Sequence, residues 1–336
     1  MQLKTTLRSL VEQGLLTLGY PTNMLGRADT TVVLFYHVIG DDGISEHDFE
    51  RQLDYLAKNF ELIFASELAT PSSSSKLRVA ITFDDGLKNT KEVALPLLRK
   101  YGAKATFFVL PCEISWLWTA ELRERLALAL KNGVELDGLP LKNDADIDPL
   151  VEEFKAMGQD ALNKVLDRIR AKTSFEPSAA WLAEHELMTA DELRALPEDI
   201  IELGAHTIHH PILPSLDNET LAMEIVESKT RLEALIGRPF KTFSYPNGDF
   251  DERCLRLAEQ HYDLAFTTES AMEKHPDYET IRNHPHAINR LHGLECHADL
   301  PIKMHKFLRQ GYGFTIIDEP GFCENHAMAV PTPTNS

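Results

Sequence analysis

Short β-branched runs alternate with amphipathic stretches along most of this chain, and that alternation restricts the fold to parallel strands joined by crossover helices. The runs are Thr31–Tyr36, Arg78–Phe83, Lys104–Val109, Ile200–Ala205, Lys241–Tyr245, Asp263–Thr267 and His286–Leu291. Between them lie Asp48–Phe60, Lys88–Tyr101, Asn218–Ile236 and Asp251–His261, each with apolar residues at helical spacing. About seven such units predict an α/β fold, a distorted (β/α) barrel of parallel strands, rather than two separate domains. An open doubly wound sheet is the alternative.

Residues 113–187 interrupt the rhythm. They carry no clear strand and read as two or three helices around the acidic loop Asn143–Asp148, inserted between two strands of one domain. Such an insertion either caps a site or forms a packed subdomain. The resulting organisation is an N-terminal helical segment (1–30), a main domain (31–300) and a C-terminal segment with a flexible tail (301–336). Pro71–Ser75 reads as a polar loop.

A chain of 336 residues with 43% apolar and 26% charged residues can bury a full core. Its formal charge of −18 argues against nucleic acid or an anionic membrane as the main partner. Leu3, Leu7, Leu10, Gly14 and Leu18 line one face of a first helix, which is expected to pack on the domain. Peripheral membrane contact is the sharper alternative, with only Lys4 and Arg8 available to meet head groups. No apolar run is long enough to span a bilayer, and Glu12, Gln13 and Gly14 break the signal-peptide pattern. With four scattered cysteines and no CxxC, a reducing cytoplasm is the expected compartment. The sequence sets no oligomeric state.

Chemistry-bearing residues follow the strands. Arg78–Phe83 runs into Asp84-Asp85-Gly86, Ile200–Ala205 into His206-Thr207-Ile208-His209-His210, Thr31–Tyr36 into His37, and Lys241–Tyr245 into Pro246-Asn247-Gly248. In a barrel, strand ends share one rim, so these groups are expected to converge. Adjacent carboxylates at a strand end point in different directions, so that one can bind a metal while its neighbour takes a proton. His206 and His210 are four residues apart, and with Asp85 they make a two-histidine, one-carboxylate set with coordination positions left for water and substrate. Alone, Asp-Asp-Gly marks a turn and His-x-x-x-His a surface or interior pair; each directly after a buried strand, they make a joint signal. His284, His286, His292 and His297 show no ligand spacing and read as a polar loop. Trp116, Trp118 and Trp181 either stack on sugars or anchor the insertion.

TFDDG (Thr82–Gly86) and HTIHHPIL (His206–Leu213) resemble the first two motifs of the NodB-homology polysaccharide deacetylases, carbohydrate esterase family four. FSYPNG (Phe243–Gly248) is similar to the third motif in its tyrosine-proline-x-glycine form, and NRL (Asn289–Leu291) to the arginine strand of that branch. The resemblance implies a hydrolase that removes N-acetyl groups from a carbohydrate, and with no export signal read, a nucleotide- or lipid-linked intermediate of surface polysaccharide synthesis is expected ahead of a mature polymer. It implies Asp84 as general base, and Asp85, His206 and His210 as ligands of a divalent metal, usually Zn²⁺, with Co²⁺ or Ni²⁺ as substitutes. It also implies Asn247 as the donor of an oxyanion-binding N–H, and leaves His209 as a spacer. Many members carry an arginine where this chain has Ser244; Arg290 is the candidate replacement for orienting Asp84. The usual leucine-x-histidine motif is not clear, so the acid is expected to be His37, with His292 as the fallback. Hydrolysis of non-sugar amides or O-acetyl esters on the same scaffold is the runner-up, ahead of a carbohydrate-binding protein without activity.

Overall fold

In the first strand, β1 (Thr30–Tyr36), side chains alternate strictly in their surroundings: Val32, Leu34 and Tyr36 join the large core beneath the helices, while Val33 joins a smaller cluster inside the curled sheet. A computed structural model of the chain describes residues 30–40, 43–71, 76–136, 138–268, 284–293, 300–311 and 314–315. The proposed first helix, His297 and the tail lie outside these residues.

Helix α1 (Glu46–Asn59) is capped by the Ser45 hydroxyl, which accepts the Asp48 N–H at 3.1 Å, and it buries Phe49, Leu53 and Leu56. Such a cap contributes about 1 kcal/mol. A short β2 (Glu61–Ile63) follows, then β3 (Arg78–Phe83), helix α2 (Leu95–Tyr101) entered through a π-type turn at Thr90–Ala94, and β4 (Ala105–Val109). The insertion holds α3 (Trp118–Asn132), α4 (Ile147–Lys155), α5 (Gln159–Lys172) and α6 (Ala179–His185). That is four helices where two or three are expected. Residues 156–158 separate α4 from α5, and the Ser178 hydroxyl caps α6 by accepting the Trp181 N–H. The insertion has its own core, built on Leu122, Leu126, Phe154, Leu166 and Ile169.

Beyond it come α7 (Ala190–Arg194), β5 (Ile201–Ala205), α8 (Asn218–Ala222), α9 (Ser228–Ile236), β6 (Thr242–Ser244), α10 (Glu252–His261) and β7 (Leu264–Phe266). β8 (Leu291–His292), α11 (Leu300–Arg309) and β9 (Phe314–Thr315) end the described chain.

The strand order is β7-β6-β5-β4-β3-β1-β8, all parallel. β2 lies parallel to the first half of β3, and β9 runs antiparallel to β1. Neither was legible as a strand, because Glu61–Ile63 runs straight on from the helical stretch Asp48–Phe60 and β9 has only two residues. The expected run His286–Leu291 is split. Ile288 bridges Phe266 of β7, and Leu291 and His292 pair with Leu34 and Phe35 of β1. This one segment therefore joins the two edges of the sheet and closes the curl into a distorted barrel. Inside it sit Val33, Ala80, Phe108, Phe266 and Ile288, with the guanidinium of Arg290 over the rings of Phe35 and Phe108 at 4.8 and 5.5 Å. Among the described residues, no helix is long and apolar enough to cross a membrane, and Cys112 and Cys254 are free thiols.

Candidate active site

Asp84 continues the inward alternation of β3, two residues beyond Thr82, and its N–H extends the ladder to Tyr36 O at 3.0 Å. The chain then turns sharply. Asp85 and Gly86 both take left-handed backbone, each with φ 71°. A side chain at Gly86 would press on Val109 at 3.1 Å as well as strain the turn, so this motif requires glycine. The turn aims the two carboxylates apart, as adjacent acids at a strand end were expected to be.

Asp84 meets Arg290. Nη1 donates to Oδ1 and Nη2 to Oδ2, each at 2.7 Å, with both residues buried. The remaining donors are also placed: Nη1 on Thr82 Oγ1 (3.1 Å), Nη2 on Ser244 Oγ (2.9 Å) and Nε on Thr267 O (3.0 Å). Ser244 thus becomes an acceptor for an arginine supplied by the segment that closes the barrel. Burial alone would raise Asp84, but the Arg290 guanidinium outweighs it and holds the carboxyl below its ordinary value.

Asp85 Oδ1 faces His206 Nε2 at 3.5 Å and His210 Nε2 at 3.4 Å, and has no hydrogen-bond partner of its own. The Ser244 carbonyl can only accept, so it takes the His206 Nδ1–H at 2.7 Å and leaves the Nε2 lone pair towards Asp85. Separations of this size suit tetrahedral ligation, where donors about 2.1 Å from a cation lie about 3.4 Å from one another. An orphaned carboxylate oxygen facing two imidazole nitrogens therefore fits a divalent metal. Burial lowers His210 to about 4, which keeps it neutral near neutral pH. For His206 burial also acts downwards, but Asp85 and Asp84 outweigh it and the net shift is upwards.

The ligand loop is held from behind by groups that sequence reasoning missed. Glu224, 2% exposed, accepts the N–H groups of Ile208 (2.8 Å) and His209 (3.0 Å) and the His209 Nδ1–H (2.6 Å). His209 thus turns away from the ligand set. Thr207 Oγ1 accepts the His210 N–H at 3.0 Å, and the Trp118 indole N–H reaches His210 O at 3.3 Å, tying the insertion to this loop. Asn89 fixes the loop after His37, accepting from Ile39 N–H at 2.8 Å and donating to Ile39 O at 3.0 Å. Asp85, Thr207, His210 and Asn247 all have positive φ, so backbone strain concentrates around the rim.

Above these residues opens a groove of about 1340 Å³, lined by His37, Asp84, Asp85, His206, His210, Asn247 and His292 from the barrel. Trp118, Lys155 and Trp181 of the insertion line its other side. The insertion is therefore both a packed unit and a wall of the groove. Trp116 sits behind, edge-on to Trp181 at 5.6 Å. His37 and His292 lie side by side, ring centroids 6.3 Å apart. Lys155 Nζ donates to the Asn247 side chain at 3.3 Å.

Acid and imidazole groups thus collect on the carboxyl rim of a parallel barrel, the rim where barrel enzymes carry their active sites. The chain belongs to the polysaccharide deacetylase family, whose sequence profile matches residues 72–137 and 156–263, with the gap inside the insertion. It is 22% identical over 246 residues to YxkH of Bacillus subtilis (strain 168), a protein named for the polysaccharide deacetylases. That match takes in 70% of this chain but only 64% of the relative's length. Among solved structures, the Streptococcus pyogenes deacetylase PplD in complex with acetate superposes with a TM-score of 0.53 at 18% identity, covering 83% of this chain and 99% of PplD. IcaB from Ammonifex degensii gives a TM-score of 0.51 at 17% identity, covering 84% and 97%. At these identities the likeness is one of fold.

Proposed function

We propose that this protein is a metal-dependent hydrolase that removes N-acetyl groups from a carbohydrate, and that residues 31–300 form its catalytic domain with 113–187 as the substrate-facing insertion. The observation that carries the reading is the pairing, at one rim, of an ionised Asp84 with an adjacent Asp85–His206–His210 set whose donors lie 3.4 and 3.5 Å apart. A divalent cation held by these three residues, zinc being the best match to the donors, supplies Lewis-acid polarisation of the acetyl carbonyl and lowers the pKa of water.

The chain's own residues do the rest. Asp84 accepts the proton of the attacking water, and Arg290 keeps both carboxylate oxygens fixed for it. The Asn247 N–H, on the rim turn, stabilises the oxyanion. As the C–N bond breaks, His37 protonates the departing amine, so the products are acetate and a free amino sugar. The groove's 1340 Å³ exceeds the ~300–1,000 Å³ of sites for single small ligands and supports a glycan of several units over an isolated sugar.

The test is release of acetate from N-acetylated oligosaccharides, abolished by a chelator and restored by zinc. Activity that survives exhaustive chelation, or acetate freed only from O-acetyl esters, would overturn the reading.

The acid is tested separately. His37 follows β1 two residues beyond the inward Phe35 and lines the groove together with Asp84 and Asp85. His37→Ala is expected to bind metal normally while kcat falls about 10²–10⁴-fold, and the basic limb of the pH–rate profile should change. Normal turnover in that variant together with the same loss in His292→Ala would exchange the two roles.

A further inference from the structure

The barrel carries a second cluster of donors at its other end. Glu259 lies on α10, and His284 and His286 lead into the segment that closes the barrel. One donor atom from each residue falls within 4.8 Å of the other two. The His286 ring is set for ligation. Its Nε2 lies 2.8 Å from the Tyr262 carbonyl, which can only accept, so the proton is on Nε2 and the lone pair on Nδ1. That Nδ1 is buried without a hydrogen-bond partner. A carbonyl behind a histidine, fixing its tautomer and leaving the other nitrogen bare, is the usual support of a metal-bound imidazole. Burial also lowers the pKa of His286, which keeps the ring neutral. His284 Nε2 is 3.1 Å from Glu259 Oε1, and Glu259 is exposed, so the cluster opens to solvent.

We propose that Glu259, His284 and His286 form a second metal site, for a late first-row divalent cation such as Zn²⁺, that ties α10 to the barrel-closing segment. Two imidazoles and one carboxylate match zinc in type and number, with water as the fourth ligand. Ligation at His284 Nε2 moves that ring's proton to Nδ1, gives up the 3.1 Å bond from the His286 N–H and replaces the 3.1 Å contact of Nε2 with Glu259 Oε1, two interactions in exchange for coordination of both side chains. The site lies where β7 and the closing segment begin, since Tyr262 precedes β7 and the Pro285 carbonyl accepts the Ala265 N–H. The catalytic groups follow the opposite, carboxyl ends of the strands. Its role is therefore structural.

The experiment is zinc binding by equilibrium dialysis with elemental analysis, alongside melting temperature and acetate release. The wild-type chain is expected to hold two equivalents, and both His286→Ala and Glu259→Gln one, with acetate release retained. Glu259→Gln alters an exposed residue and so keeps the test intact if His286→Ala folds poorly. Asp85→Asn should keep one equivalent, and zinc should still raise its melting temperature; adding His286→Ala should remove both effects. One equivalent in the wild type that Asp85→Asn removes, or two in both His286→Ala and Glu259→Gln, would overturn the proposal. The Asp85→Asn arm reports on this site whatever the catalytic metal proves to be.

Discussion

Alanine at Asp85, His206 or His210 is expected to leave a folded protein that loses its catalytic metal and all measurable turnover. Each side chain contributes one corner of a triangle whose sides at Asp85 are 3.4 and 3.5 Å, and two remaining donors cannot hold a cation that must also present open positions to water and substrate. Changing groups behind metal ligands already costs about 10–100-fold in affinity, so deletion of a ligand should exceed that. His209→Ala is the control. Its ring points at Glu224, not at Asp85, and the variant leaves both main-chain bonds from Ile208 and His209 to Glu224 in place. Catalytic metal affinity, measured by competition with a chelator, should fall by no more than about 10-fold in His209→Ala. An equal loss in His209→Ala and His210→Ala would mean that the ligand register is wrong.

The convergence of Asp85, His206 and His210 was legible because each motif is local. A turn with two acids after a buried β3, and His-x-x-x-His after a buried β5, leave few places for those groups to go. Arg290 was harder. It lies 206 residues from Asp84, and the hints were the serine at position 244 and the likeness of Asn289–Leu291 to an arginine strand. Glu224 was invisible for a physical reason. Within Asn218–Ile236 it is one acid among several, and nothing in the helical period distinguishes an acid facing solvent from one facing two buried N–H groups. The same limit hid the cluster at the barrel's far end. Among crowded histidines no spacing stood out, because the third donor, Glu259, comes from a different element. The barrel itself read well at the strands marked by apolar, β-branched runs, the three-residue β6 and β7 among them, and failed at β2 and β9, where pairing with a longer neighbour decides the conformation. The insertion's helix count failed at residues 156–158, which separate two helices.

Asp84→Asn should fold, bind metal and lose about 10²–10⁴-fold in kcat, because an amide keeps the size of the carboxylate but cannot take a proton from water. The structure adds a stability cost. The amide oxygen can still accept from one Arg290 nitrogen, but its NH₂ faces the other as donor against donor, and the guanidinium loses its counter-charge in a fully buried position. Breaking such a buried pair costs about 3–5 kcal/mol, and the retained hydrogen bond puts this variant at the lower end. The pH dependence follows from the direction of the shift. Arg290 holds Asp84 below its ordinary value, so ionisation stabilises the fold; that contribution is fully present above about pH 4 and is lost as pH falls further, through the folded pKa. Denaturant titrations should therefore find wild type and Asp84→Asn converging in stability below about pH 4 and separated above it. Arg290→Lys probes the same pair from the other side. A single ammonium cannot fork onto both oxygens, so Asp84 rises towards its ordinary value and the acid limb of the pH–rate profile moves up with it. Near-normal turnover by Asp84→Asn would remove Asp84 from the base role. An unmoved acid limb in an active Arg290→Lys enzyme would show that the fork does not set the state of that carboxylate.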